Sequence, residues 1–403
     1  MVYDMLIKGG NVIDPGHGIH EICDIGIDKG SIVALSTDIS PTQARRVVDA
    51  KGMIVTPGLI DIHTHVAEVI MPLAVNPDEA GVNTGVTTVC DAGSTGYTNF
   101  NAFRSFIIDK SRTNVFSFLN LSPIGQVVMP EICWQHINPE EMLNIIEENR
   151  DVIKGIKLRA VAGVIENLGI EAVKVAKKIA MQANLPIAVH VGIGLEETIS
   201  HDKLYAFNPK MLAILDKGDI LVHVFTHRRG GVIKPDGNVS PELKEAFERG
   251  VVLDLATGSS HFSFELARRA MDQGVMPTTL STDIVNTNMN GPVVFSLPVI
   301  MSKFLALGLS IDQVIQMTTV NAASVLREEK QRGSLKQGMP ADISLFELAE
   351  GDFLFSDGMA GNTLQGRFLL MPKLTIKSGV EIPTQPRFRN YIPGEPVILP
   401  RGV

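Results

Sequence analysis

The chain opens with short apolar runs that alternate with polar residues and break at glycine. Asp4-Met5-Leu6-Ile7-Lys8 leads into Gly9-Gly10, and Asn11-Val12-Ile13 into Asp14-Pro15-Gly16. Asp24-Ile25-Gly26-Ile27 then passes through Asp28-Lys29-Gly30 into Ser31-Ile32-Val33-Ala34-Leu35. Period-two alternation closed by such turns predicts antiparallel sheet. From about Thr56 the texture changes. Apolar runs such as Gly85-Val86-Thr87-Thr88-Val89-Cys90, Leu185-Pro186-Ile187-Ala188-Val189-His190 and Ile220-Leu221-Val222-His223 predict buried strands with helices between them. From Gly169 to Ala183, residues Ala172, Val175, Ala176, Ile179 and Ala180 recur at helical spacing and predict one buried face. Near Gly333 short strands and glycine turns return, in Gly338-Met339-Pro340-Ala341-Asp342-Ile343-Ser344-Leu345-Phe346.

Strand–helix alternation predicts a parallel sheet. Its extent suits an α/β fold, a (β/α)8 TIM barrel over residues 57–332. The flanking segments, 1–56 and 333–403, are expected to pair into one small composite β-sandwich domain, with the barrel inserted between them. Of 403 residues 45% are hydrophobic and 20% charged, which excludes disorder and allows a large core. A net charge of -8 argues against a nucleic-acid grip on a basic face. The apolar runs are too short or too interrupted to span a bilayer. Met1 to Asp14 shows no basic-then-apolar leader, so a cytoplasmic protein is expected. Cys23, Cys90 and Cys133 include no CxxC pair and cannot build a disulfide framework.

The strongest chemical signal is Thr56-Pro57-Gly58-Leu59-Ile60-Asp61-Ile62-His63-Thr64-His65. On a strand, Asp61, His63 and His65 share one face, so two imidazoles point the same way. Two neutral imidazoles are half of a metal site. A pair of histidines on a solvated strand would be commonplace, but the apolar flank buries these two, and each then needs a partner. A barrel of ordinary size repeats every ~31 residues. From His63 the next charged or imidazole side chains at strand ends are Lys157, His190, His223 and Asp283, at gaps of 94, 33, 33 and 60 residues, close to three, one, one and two repeats. In such a fold the C-terminal strand ends build the active site.

These residues resemble the amidohydrolase superfamily in its dinuclear, carboxylated-lysine branch. More narrowly, Thr87 to Ser94, Phe262-Ser263-Phe264-Glu265, Ser281-Thr282-Asp283 and Asn290-Gly291-Pro292 resemble the dihydroorotase-like amidohydrolase/deacetylase metallohydrolases. The resemblance implies two divalent metal ions, zinc first, with manganese, iron or cobalt able to use the same donors. It implies that His63 and His65 ligate the more buried ion, His190 and His223 the more exposed one, and Asp283 the buried one. Lys157, carried as a carbon dioxide-derived carbamate, would bridge the two. A hydroxide held between the ions would attack the substrate, with Asp283 as the catalytic proton carrier. Taken singly, His190 and His223 suit satisfied core histidines and Asp283 a helix cap; jointly the six favour metal.

Arg159, two residues past Lys157, faces the same way and would suit a substrate carboxylate; a salt bridge to the strand bearing Asp91 is the alternative. His261 and Arg228 are further substrate-binding candidates from loops. Cys90 reads as a small core residue, and Glu140, Glu141, Glu147 and Glu148 as a solvated helix face. Mononuclear deaminases of the superfamily place a glutamate three residues after the strand-five histidine, where Ile193 stands here. Dihydroorotases place an arginine two residues after the second histidine of the pair, where Ala67 stands. The expected function is therefore hydrolysis of an acyl amide or ester from a small carboxylate-bearing substrate, a deacetylase-like reaction. A cyclic amidase, dihydroorotase- or hydantoinase-like, is the alternative, and a catalytically silent scaffold the alternative of another class. A homo-oligomer is expected, with no nucleic-acid or membrane partner.

Overall fold

A computed structural model describes residues 2–128, 136–194, 198–385 and 397–398. Cys133 and Trp134 lie outside these residues. The opening strands are β1 (Tyr3–Asp14), β2 (Ile19–Asp28), β3 (Ser31–Ser36), β4 (Ala44–Asp49) and β5 (Ile54–Pro57). At the other end come β13 (Ile343–Ser356), β14 (Thr363–Lys377), β15 (Val380–Pro383) and β16 (Val397–Ile398). They form one nine-stranded sheet in the order β15-β14-β13-β5-β1-β2-β3, with β16 on β13 and β4 on β1. The two ends of the chain meet where β5 runs antiparallel to β13, pairing Pro57 with Ile343 and Ile54 with Phe346. Ile7, Val12, Ile25, Val55, Ile343 and Ile376 bury a core of their own beneath it.

The opening differs from its sequence pattern in two ways. Gly9-Gly10 does not end a strand: β1 runs through it with a register shift between Ile7 and Gly10, and Gly9 takes φ +71°. A left-handed glycine absorbs an extra residue as a bulge and keeps the ladder going. The pairing is also mixed, because β4 and β5 lie parallel to β1.

Between the ends lie β6 (Leu59–Thr64), β7 (Val86–Asp91), β8 (Asn114–Asn120), β9 (Ile153–Arg159), β10 (Ile187–His190), β11 (Ile220–Val222) and β12 (Val252–Asp254). All are parallel neighbours in chain order. Their buried apolar runs are what a sheet covered on both faces requires. The segment 279–284 forms parallel bridges to both outer strands, Thr279 with Asp254 and Ile284 with Thr64. Asp283 thereby donates its N–H to the His63 carbonyl at 2.8 Å. Helices pack outside; in Ile170–Ala183 the buried face is Ala172, Val173, Ala176, Ile179, Ala180 and Ala183, with Val175 at its half-buried edge. Glu140, Glu141, Glu147 and Glu148 are exposed on helix Pro139–Glu148, and Cys90 is fully buried. Among the described residues no helix is long and apolar enough to cross a membrane.

Candidate metal centre

Parallel strands in chain order gather their C-terminal ends at one edge, and the six singled-out side chains meet there. Every residue of β6 is buried, and its alternation points His63 inward, with His65 following just past its end. Lys157, at the far end of β9 and 1% exposed, brings Nζ to 3.3 Å from His63 Nε2. Asp283 Oδ1 lies 3.2 Å from His65 Nε2 and 3.6 Å from His63 Nε2. His190 ends β10 and His223 follows β11; His223 Nε2 stands 2.8 Å from His190 Nδ1. All six line one cavity of about 150 Å³ with Met71, Leu73, Gln126, Arg159, His261 and Val285.

Each imidazole is held from behind. His63 Nδ1 meets Asp254 Oδ2 at 3.2 Å, His65 Nδ1 meets Ser94 Oγ at 2.9 Å, His223 Nδ1 meets the Ala256 carbonyl at 2.6 Å, and His190 Nε2 meets the Gly192 carbonyl at 3.0 Å. A carbonyl only accepts, so His190 must donate from Nε2 and His223 from Nδ1. In the neutral rings the two nitrogens facing each other across 2.8 Å then both carry bare lone pairs. Protonation would relieve that repulsion, but burial pushes the pKa of both rings well below the ordinary imidazole value, and neighbouring imidazoles push the same way. A shared divalent cation relieves it without a proton. The donor set therefore fits a metal.

Among the described residues, two groups could hold a cation, His63, His65 and Asp283, and His190, His223 and His261, each with ligand atoms within 4.8 Å of one another. His261 differs from the others in aim. Its ring stacks on His223 at 4.1 Å and 24°, whereas His190 and His223 cross at 85°. His261 thus lies flat against His223 and lines the same cavity.

Backbone geometry contributes as well. His223 (φ 65°) just past β11, Ala256 (φ 43°) two residues past β12 and Asp283 (φ 52°) in the 279–284 segment all adopt left-handed conformations. Such residues cost about 1–2 kcal/mol each and cluster at functional sites. Asn288 braces the last of them, donating from Nδ2 to the Asp283 carbonyl at 3.0 Å.

Burial dominates the electrostatics. It lowers Lys157 to about 8 against the attraction of Asp283 and Asp254, and the His63 ring falls well below its usual range through burial and then Lys157. Burial takes His261 to about 3. Two carboxylates that sequence reasoning missed go the other way: burial raises Asp61 to about 7 and Asp254 to about 6, against the hydroxyl donors of Thr282 and of Ser281 and Thr279. Asp61 accepts from the His63 and Thr282 N–H groups and from Thr282 Oγ1, tying the 279–284 segment to β6. Gln126 was also missed; it lines the cavity and donates to the Ala92 and Gly93 carbonyls. The alternation that exposes Asp61 in sequence could have flagged it; nothing local marks Asp254 or Gln126.

Arg159 lines the cavity, while Asp91 accepts from the Val66 and Ser94 N–H groups. Arg228 lies in a neighbouring cavity of about 270 Å³. Its guanidinium reaches the Ser260 carbonyl and hydroxyl and the Ile193 carbonyl, clamping three loops together.

The amidohydrolase family pattern matches residues 54–380, spanning every one of these side chains. The chain belongs to the amidohydrolase family. An amidohydrolase is a hydrolytic enzyme, and the relatives of this one agree on that while differing in name. A deacetylase of Agrobacterium fabrum is 34% identical over 332 residues, 81% of this chain and 79% of that protein. A dihydroorotase of Geobacter sulfurreducens is 37% identical over only 128 residues, 31% of this chain and 30% of that protein. Among solved structures, an adenine deaminase superposes with TM-score 0.85 at 30% identity, covering 95% of this amidohydrolase and 100% of that chain. A dihydroorotase superposes with TM-score 0.84 at 31% identity, covering 96% and 99%.

Proposed function

We propose that the protein is a dinuclear metal-dependent deacetylase that removes an acyl group, held as an amide or ester, from a small carboxylate-bearing molecule. The observation that carries this reading is the pair of bare imidazole nitrogens, His190 Nδ1 and His223 Nε2, facing each other at 2.8 Å in the cavity that also holds His63, His65, Lys157 and Asp283. The reading takes residues 57–332 as a (β/α)8 barrel with the 279–284 segment as its eighth strand. It takes residues 1–56 and 333–403 as the composite β-sandwich domain, a reading supported by the pairing of β5 with β13. It also takes the enzyme as a homo-oligomer, as the family resemblance implies.

His63, His65 and Asp283 would hold one ion and His190 and His223 the other, with zinc the first choice and manganese, iron or cobalt able to use the same donors. Lys157 would join the two ions as a carbamate. With its pKa lowered to about 8, part of the amine is neutral near pH 7. Its nitrogen can then bond to the carbon of carbon dioxide and release one proton. When bound, the cations polarise the scissile carbonyl and bring the pKa of water from about 15.7 toward 7. Asp283 Oδ1, on a side chain 17% exposed, can take a proton from the attacking water and hand it to the leaving nitrogen or oxygen. The Arg159 guanidinium on the cavity wall would anchor the carboxylate through paired hydrogen bonds. His261 and Gln126 shape the remaining wall.

Two positions support a deacetylase over the other names. Ala67, fully buried, places a methyl group where a dihydroorotase-type carboxylate anchor would stand. Ile193, also buried, offers no acid or base for nucleobase deamination. The dihydroorotase structure, matched over 99% of its chain, keeps a cyclic amidase as the second reading. A panel of N-acetylated amino acids and O-acetylated 2-hydroxy acids, run beside dihydroorotate and hydantoin on zinc- and bicarbonate-treated protein, separates them. Turnover of the acetylated acids is expected. Turnover of the cyclic amides alone would establish the second reading, and folded protein that takes up no metal would establish a silent scaffold.

A further inference from the structure

Asp254 is a buried carboxylate with no place among the proposed ligands, and it sits directly behind one of them. It ends β12, is 1% exposed, and directs Oδ2 at His63 Nδ1 across 3.2 Å. Its other oxygen, Oδ1, accepts the Thr279 hydroxyl at 2.8 Å and the Ser281 hydroxyl at 2.7 Å. Ser281 Oγ itself accepts from the Ala256 N–H at 2.9 Å, so its one proton is committed to Asp254. These contacts fix the carboxylate as an acceptor whose second oxygen has one direction to look, toward His63.

We propose that Asp254 is the positioning residue of the metal centre: it sets His63 in the Nδ1–H tautomer and keeps the Nε2 lone pair aimed into the cavity. The inference rests on the metal-dependent reading above and deepens it. On the opposite edge of the ring, Lys157 Nζ approaches Nε2 at 3.3 Å. In the metal-free protein a Lys157 ammonium there would donate to Nε2, which is compatible with the proton on Nδ1. The Asp254 contact, with its other oxygen already taken by two hydroxyls, is what selects the tautomer. Because Thr279 and Ser281 belong to the segment that carries Asp283, the same carboxylate couples His63 to the placement of Asp283. A ring whose Nε2 carries the proton offers no lone pair to a cation, so losing this contact costs metal affinity, and groups in this role cost about 10–100-fold when removed.

Two measurements test the proposal. In metal-free wild-type protein, long-range proton–nitrogen spectra of the imidazoles, with His63 assigned through His63→Gln, are expected to show His63 protonated at Nδ1. A proton on Nε2 overturns the proposal and needs no variant beyond the assignment. In parallel, zinc is titrated into wild type and Asp254→Asn, whose amide can donate toward Nδ1 and turn the ring to its other tautomer. The expected result is a folded variant with about 10–100-fold weaker binding of one ion and a His63 resonance pattern moved to Nε2–H. Thr279→Val, a milder change, should shift affinity in the same direction by less. Identical titrations and an unmoved His63 pattern in both variants overturn the positioning role while leaving the metal centre standing. A wild-type protein that binds no zinc overturns the metal-centre reading, and this proposal with it.

Discussion

Gly93 lies so close to Lys157 that a Cβ built on the glycine would stand 2.8 Å from both the lysine Cβ and Cγ. Gly93 also takes φ +83°, and its carbonyl accepts from Asn120 Nδ2 at 2.8 Å. The backbone after β7 is thus the wall that sets the lysine's height in the cavity. Gly93→Ala adds left-handed strain to a contact that cannot relax into space. We expect a stability loss of about 1–3 kcal/mol and a fall in metal content. Thermal melts and metal analysis check both, and wild-type metal content would show that the wall is not needed.

Lys157→Ala removes the proposed bridge. Metal stoichiometry should fall and activity drop by about 100-fold or more, beyond the range for groups that merely orient ligands. A short carboxylic acid supplied in the buffer should restore part of both. Activity without rescue and without metal loss would contradict the bridging role.

Asp283→Asn keeps an oxygen near His65 but cannot carry a proton. Much of the metal should remain while kcat falls by about 10²–10⁴-fold, the usual worth of a general acid–base group. Unchanged kcat would remove the proton-transfer role.

Arg159→Met should act on binding. Loss of a charge-assisted pair, worth about 1.5–3 kcal/mol, raises KM for carboxylate substrates by about 10–100-fold, with a smaller change for the corresponding methyl ester. Equal effects on acid and ester would mean that Arg159 does not read the carboxylate.

Far from the centre, Asp24 makes stability depend on pH. Burial pushes its carboxyl up, but the Ile39 N–H, the Lys8 ammonium and the Gly9 N–H outweigh burial and hold it below the ordinary range. Its folded-state value is depressed, so its contribution is present above the unfolded value of 3.8 and is lost as pH falls through the folded one. Asp24→Asn should cost about 1–3 kcal/mol near pH 7, and the gap to wild type should close below about pH 4. Urea melts at several pH values check the convergence.

What the sequence shows is what chain periodicity encodes. His63 and His65 are legible because a strand repeats every two residues, and Lys157, His190, His223 and Asp283 because strand–helix units repeat at a near-constant length. The supports behind them are not. Asp254 reaches His63 across 191 residues, and the Ala256 and Gly192 carbonyls that fix two rings carry no side-chain identity at all. The left-handed turns at His223 and Asp283 are hidden as well, because neither residue is a glycine. In the outer sheet, alternation revealed strands but not that β4 and β5 run parallel to β1, since direction depends on the path of the connection and not on the strand.

The pairing of Pro57 with Ile343 also sets an order of events during synthesis. On the ribosome the edge of β5 must wait for β13, and at ~5–20 residues per second that delay is on the order of tens of seconds. Throughout it an unpaired, apolar strand edge stands open to neighbouring nascent chains. Yield in a cell should therefore respond to chaperone supply and growth temperature more than the finished molecule's melting point would suggest.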